Sequence, residues 1–143
     1  MPAKLLGWGT VKPNFSGDYV LDRTASMLSA AGSGITTAEL RIEHDEPRFY
    51  CSARFASATD GIEFTFERFT DDRAVVVSAH EGSRCYWEHD VLLTEDRMGS
   101  SEAPVVMIWR YQFTDEGRRP RATERMRGAG RDQDNVWEFE RQS

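Results

Sequence analysis

Glu124 stands where a carboxyl group is least expected. It lies between Ala122 and Met126, while the alternate residues Thr123, Arg125 and Arg127 are polar. In an extended chain successive side chains point to opposite faces, so this spacing puts the carboxyl on the apolar side. An ionised carboxylate in an apolar interior is costly, and it must find a partner or hold a proton. Such a group suits a general acid or base, or an anchor for a hydroxyl or amine of a bound molecule. The bland alternatives are an internal ion pair with an arginine, or a register that turns the side chain to water.

His44 continues the face of Leu40 and Ile42, just before Asp45-Glu46-Pro47. There it would titrate near neutrality at the rim of an apolar interior, or simply cap its strand. Tyr111 shares a face with Met107, Trp109 and Phe113, and in an enzyme Glu124, His44 and Tyr111 would form the catalytic set. His80 and His89 fall in or beside turns. No close His or Cys spacing predicts a metal site, and haem would rest on one inward histidine, so no metal and no cofactor are expected. Cys51 lies beside Phe49, Ala53 and Phe55, and Cys85 beside Trp87, as small apolar fillers do. Two cysteines make no disulfide framework, which fits a reducing cytoplasm. Gly128-Ala129-Gly130 is too short for a nucleotide loop, and no Gly-x-Ser-x-Gly elbow occurs.

Strands must position these residues. The period of two runs from residue 16 to 142, broken by turn chemistry such as Asp45-Glu46-Pro47, Ala58-Thr59-Asp60-Gly61 and Asp115-Glu116-Gly117. It predicts strands near 17–21, 36–44, 48–56, 62–69, 73–80, 83–88, 91–97, 105–113, 121–128 and 134–142. Thr24 to Ala31, ended by Gly32, is the one helical stretch and would close one mouth of a barrel. Residues 1–13 read as an extension and 14–143 as one domain. Strands joined by short turns pair with their neighbours, and a sheet with one dry face closes on itself. The expected fold is therefore all-β, an up-and-down antiparallel barrel of 8–10 strands with one short helix after the first.

Composition sets limits. With 39% hydrophobic and 29% charged residues the chain is globular, and a net charge of −6 speaks against nucleic acid. All but two of its 18 cations are arginines, interleaved with acids in no basic stripe. No apolar run approaches membrane-spanning length. A monomer or a homodimer is expected, the latter through the extension at 1–13.

Asn14-Phe15-Ser16-Gly17-Asp18-Tyr19-Val20-Leu21-Asp22, with Ser26 after it, resembles the opening of lipocalin-like bacterial proteins of the calycin group. Trp87-Glu88-His89-Asp90-Val91-Leu92 looks like their Trp-Asp-Gly-Asp-x-Leu hairpin, with His89 at a turn glycine. Tyr111 to Arg118 is similar to their strand ending in Ser-x-Asp-Gly-Arg, and Asn135 to Gln142 to their closing strand. The resemblance implies a barrel around a hydrophobic cavity, with Arg141 packed over Tyr19 or Trp8 or else facing the cavity, where it would suit a carboxylate ligand, and fixes no chemistry. The expected function is binding of a small hydrophobic molecule, with Tyr19, Phe49, Phe64, Phe66, Trp87, Trp109, Tyr111, Glu124, Met126 and Trp137 as candidate contacts. The alternative is a cofactor-free isomerase, cyclase or dehydratase acting on a polyketide- or terpenoid-like substrate.

Overall fold

A computed structural model describes residues 12–29, 33–73, 75–76, 81–114, 119–130 and 132–142. Ten strands appear among them: β1 Gly17–Leu21, β2 Ile35–Asp45, β3 Arg48–Ser57, β4 Gly61–Phe69, β5 Val75–Val76, β6 Gly82–Glu88, β7 Val91–Gly99, β8 Pro104–Thr114, β9 Arg119–Arg127 and β10 Gln133–Gln142. They form one antiparallel sheet in the order β4-β3-β2-β1-β10-β9-β8-β7-β6-β5. Chain neighbours are sheet neighbours except β4 and β5 at the two edges, and the first strand pairs with the last, so the sheet curls into a nearly closed barrel. Among the described residues no ladder joins β4 to β5. There Arg68 of β4 reaches Asp96 of β7 at 3.1 Å.

Cross-strand registers stack the inward side chains in rows. Leu92, Tyr111, Ala122 and Trp137 stand opposite one another across β7, β8, β9 and β10. Thr94, Trp109, Glu124 and Asn135 form the next row, and Asp96, Met107, Met126 and Gln133 the one after. The parity that puts Ala122 and Met126 inside thus puts Glu124 inside, and all three are buried.

The motif around Phe15 builds the closed end. Phe15 is buried, 4.8 Å from Phe113 and 6.2 Å from Trp87, ring to ring. Its N–H donates to His44 Nδ1 at 3.0 Å. Asn14 Nδ2 and Ser16 Oγ both donate to the carbonyl of His44, and Ser16 Oγ accepts the His44 N–H. This short run therefore substitutes for a strand partner at the end of β2, which satisfies backbone groups that a plug would otherwise bury unpaired. Arg141 donates to Tyr19 Oη at 2.8 Å and lies over its ring, outside the interior.

Two expectations are corrected. The stretch predicted as a helix, Thr24 to Ala31, is not helical in its described part. Asp22 Oδ1 accepts from Thr24 Oγ1 and the Ala25 N–H in a turn, and Met27 then exchanges both backbone hydrogen bonds with Val136. β1 is too short to cover all of β10, and pairing the uncovered edge is worth more than two turns of weak helix. Residues 30–32 lie outside the described residues. The strand predicted over 73–80 is described only at Val75–Val76, and His80 lies outside the description. So does Trp8, with the rest of 1–11. Among the described residues no helix is long and apolar enough to cross a membrane.

Candidate functional site

The interior between the rows and the inner faces of β2, β3 and β4 encloses a cavity of about 500 Å³. This is the size of a pocket for a drug-sized molecule. Its wall is mainly a chain of rings. Phe66 lies 6.4 Å from Phe64, Phe64 5.8 Å from Phe55, and Phe55 5.3 Å from Trp137. Trp137 lies 6.4 Å from Trp109, and Trp109 6.1 Å from Tyr111. Alternation in β3, β4, β8 and β10 sends each of these rings inward. Leu40, Ala53 and Ala122 fill the spaces between them.

Polar islands interrupt the apolar wall, and Glu124 is the centre of one of them. Glu124 Oε1 accepts from Asn135 Nδ2 at 2.9 Å and from Trp137 Nε1 at 3.2 Å. Asn135 is held in turn, because its Oδ1 accepts the Ser29 N–H at 2.6 Å. In place of the internal arginine pair that is one of the bland alternatives, the carboxyl group has two neutral donors among the described residues, both on one oxygen. The wall's arginine is Arg68, already paired with Asp96 and donating to the Glu67 carbonyl. Its buried Nε has no hydrogen-bond partner among the described residues.

The candidate contacts divide. Phe64, Phe66, Trp109, Tyr111, Glu124 and Trp137 line the cavity. Tyr19, Phe49, Trp87 and Met126 lie outside the lining. Tyr19 and Phe49 are packed in the core near the plug, and Trp87 is drawn to the closed end, where its Nε1 donates to Glu46.

The acid–base set is not assembled there. His44 is buried at the closed end and absent from the lining. Its Nδ1 accepts from Phe15, so the ring proton sits on Nε2 and is donated to Glu46 Oε2. Both nitrogens are occupied in holding the plug. Burial pushes the Tyr111 phenol well above its ordinary range, so it remains a neutral donor. Burial likewise pushes the thiols of Cys51 and Cys85 up to about 12, leaving neither as a thiolate nucleophile near neutrality. Among the described residues no group of three or more His, Cys, Asp or Glu could hold a metal ion.

Arg68, Asp96, Thr94 and Asn135 are wall residues that the sequence reading missed. The signal was present. Arg68 has the parity of Phe64 and Phe66, and Asp96 that of Leu92 and Thr94.

No protein-family model matches the sequence, and no curated protein does either. Solved structures do match in fold. A secretary abundant heat soluble (SAHS) protein of Ramazzottius varieornatus, from a dimer sample, superposes with a TM-score of 0.63 at 10% identity, over 93% of this chain and 98% of that one. The fluorescent protein UnaG gives 0.58 at 10% identity, over 90% and 97%. Fatty-acid-binding protein 1 of Echinococcus granulosus gives 0.54 at 14% identity, over 90% and 98%. All three are calycin-type barrels, and the chain has this lipocalin-like fold.

Proposed function

We propose that this chain binds one small, largely hydrophobic molecule in the barrel lumen. The observation that carries the reading is the cavity of about 500 Å³ behind a continuous aromatic wall. A core built only for stability packs such rings against one another and leaves few voids larger than water. The name of one structural neighbour, a fatty-acid-binding protein, agrees with a barrel used as a container. An enzymatic use of the same cavity has less support, since His44 is committed elsewhere and Glu124 has no titrating hydrogen-bond partner among the described residues.

A neutral apolar dye, N-phenyl-1-naphthylamine, tests the reading. It should bind saturably, one per chain. Ala53→Trp, which fills the lumen from β3, should weaken it at least about tenfold while circular dichroism shows the barrel intact. Binding that does not saturate, or that the filled variant retains, would move the site out of the lumen.

A further inference from the structure

Among the described residues the cavity wall carries two carboxyl groups and one cation. Asp96 and Arg68 are paired with each other at 3.1 Å. Glu124, only 8% exposed, has no cation among the described residues and receives from them the side-chain N–H groups of Asn135 and Trp137 on Oε1. A carboxylate has about four acceptor positions, so Oε2 is left with capacity for a donor. The orientation of Asn135 is not free to change. A backbone N–H can only donate, so the Ser29 contact fixes Oδ1 as the acceptor and Nδ2 as the group facing Glu124. The island thus leaves Glu124 with acceptor capacity at the lumen and supplies it no cation among the described residues.

From this geometry we propose that the molecule held in the lumen is an apolar amine whose protonated head docks on Glu124, and that fatty-acid carboxylates are disfavoured. The inference rests on lumen binding and names the ligand class. An ammonium group brings both the missing counter-charge and the missing donors, and a buried ion pair of this kind is made only when both partners are present. A carboxylate head would meet the like charge of Glu124 in a low-dielectric space. Arg68 offers it little, because Asp96 already neutralises that guanidinium. The remaining wall, from Phe66 round to Tyr111, suits an aliphatic or aromatic body.

Three probes of equal length settle the head group: decylamine, decanol and decanoate, titrated at pH 7 by calorimetry and by the fluorescence of Trp109 and Trp137. At that pH the amine is cationic and the acid anionic. The expected ranking is amine, then alcohol, then carboxylate, with the amine about tenfold or more tighter than the carboxylate. Glu124→Gln should erase the amine's advantage and leave the alcohol nearly unchanged. The ranking is read on the unmodified chain, so it decides the question even when that variant does not fold. Added salt at 0.5 M then takes the variant's place, since association with the acidic exterior is screened while the ranking inside the lumen persists. Decanoate binding as tightly as decylamine, or an amine preference that Glu124→Gln leaves intact, would overturn the proposal. If the neutral dye binds but decylamine does not, the head-group inference alone falls. If dye and all three decyl probes fail, the lumen reading falls with it.

Discussion

At the scale of single residues, the interior is organised by Asn135. It is 2% exposed and bridges a backbone donor, Ser29 N–H, to an acceptor, Glu124 Oε1. Asn135→Leu keeps the volume but leaves both partners without it, and each unmet buried group costs about 1–3 kcal/mol. Urea denaturation should therefore show a loss of roughly 2–4 kcal/mol, more than an ordinary polar-to-apolar change. Asp22 behaves differently, at the edge where the chain leaves β1. The Thr24 hydroxyl, the Arg119 guanidinium and the Ala25 N–H hold its carboxyl down at about 2. A depressed carboxyl stabilises the fold above its ordinary value near 3.8 and loses that contribution as pH falls toward 2. Melting temperatures of the parent chain and Asp22→Asn should differ at pH 6 and converge by pH 2. A gap that is constant across that range would remove Asp22 from the acid response. Sequence alone makes Glu124 visible, because it breaks an apolar parity. Its partner could not be read so easily, because the side chain of Asn135 meets it through a register between two strands.

At the scale of elements, turns and strands follow local chemistry closely, and the period of two places most strand limits within two residues. The failure over 24–31 is instructive. Helix propensity is a local quantity, whereas the uncovered edge of β10 exists only after the barrel has formed. Two turns test how far local chemistry decides. The β6–β7 hairpin closes through His89 and Asp90, and His89 adopts φ 56°, in the left-handed region that glycine favours at this loop position. His89→Gly relieves that strain at some entropic cost, so thermal denaturation should show about 0.5–1 kcal/mol of added stability. Gly128 is the opposite case. At φ 115° it follows β9, and a Cβ there would sit 2.1 Å from the Pro104 carbonyl oxygen, where β8 begins. Gly128→Ala forces the start of β8 away and should cost roughly 2–3 kcal/mol. A neutral result would mean that this corner is much looser than its close approach implies.

For the molecule as a whole, Tyr111, Trp137 and Phe139 belong both to the core and to the cavity wall, whereas the plug and the outer strand β4 each serve one side of that division. The plug of Phe15, His44 and Phe49 seals one end and is almost wholly buried. The opposite case is β4, which has no ladder on its outer edge among the described residues. Its inward side chains Ile62 and Phe64 are 59% and 41% exposed although both line the cavity. Large apolar side chains left this open contribute little to folding, because most of their surface already meets water. Phe64→Ser separates the two roles. It removes a ring stacked between Phe55 and Phe66 without opening a sealed core, so unfolding free energy should change by less than about 1 kcal/mol. Affinity for the neutral apolar dye should fall about tenfold, equivalent to about 1.4 kcal/mol of lost contact. The reverse outcome, a large loss of stability with unchanged affinity, would show that β4 belongs to the core and that whatever enters the barrel does so without touching it.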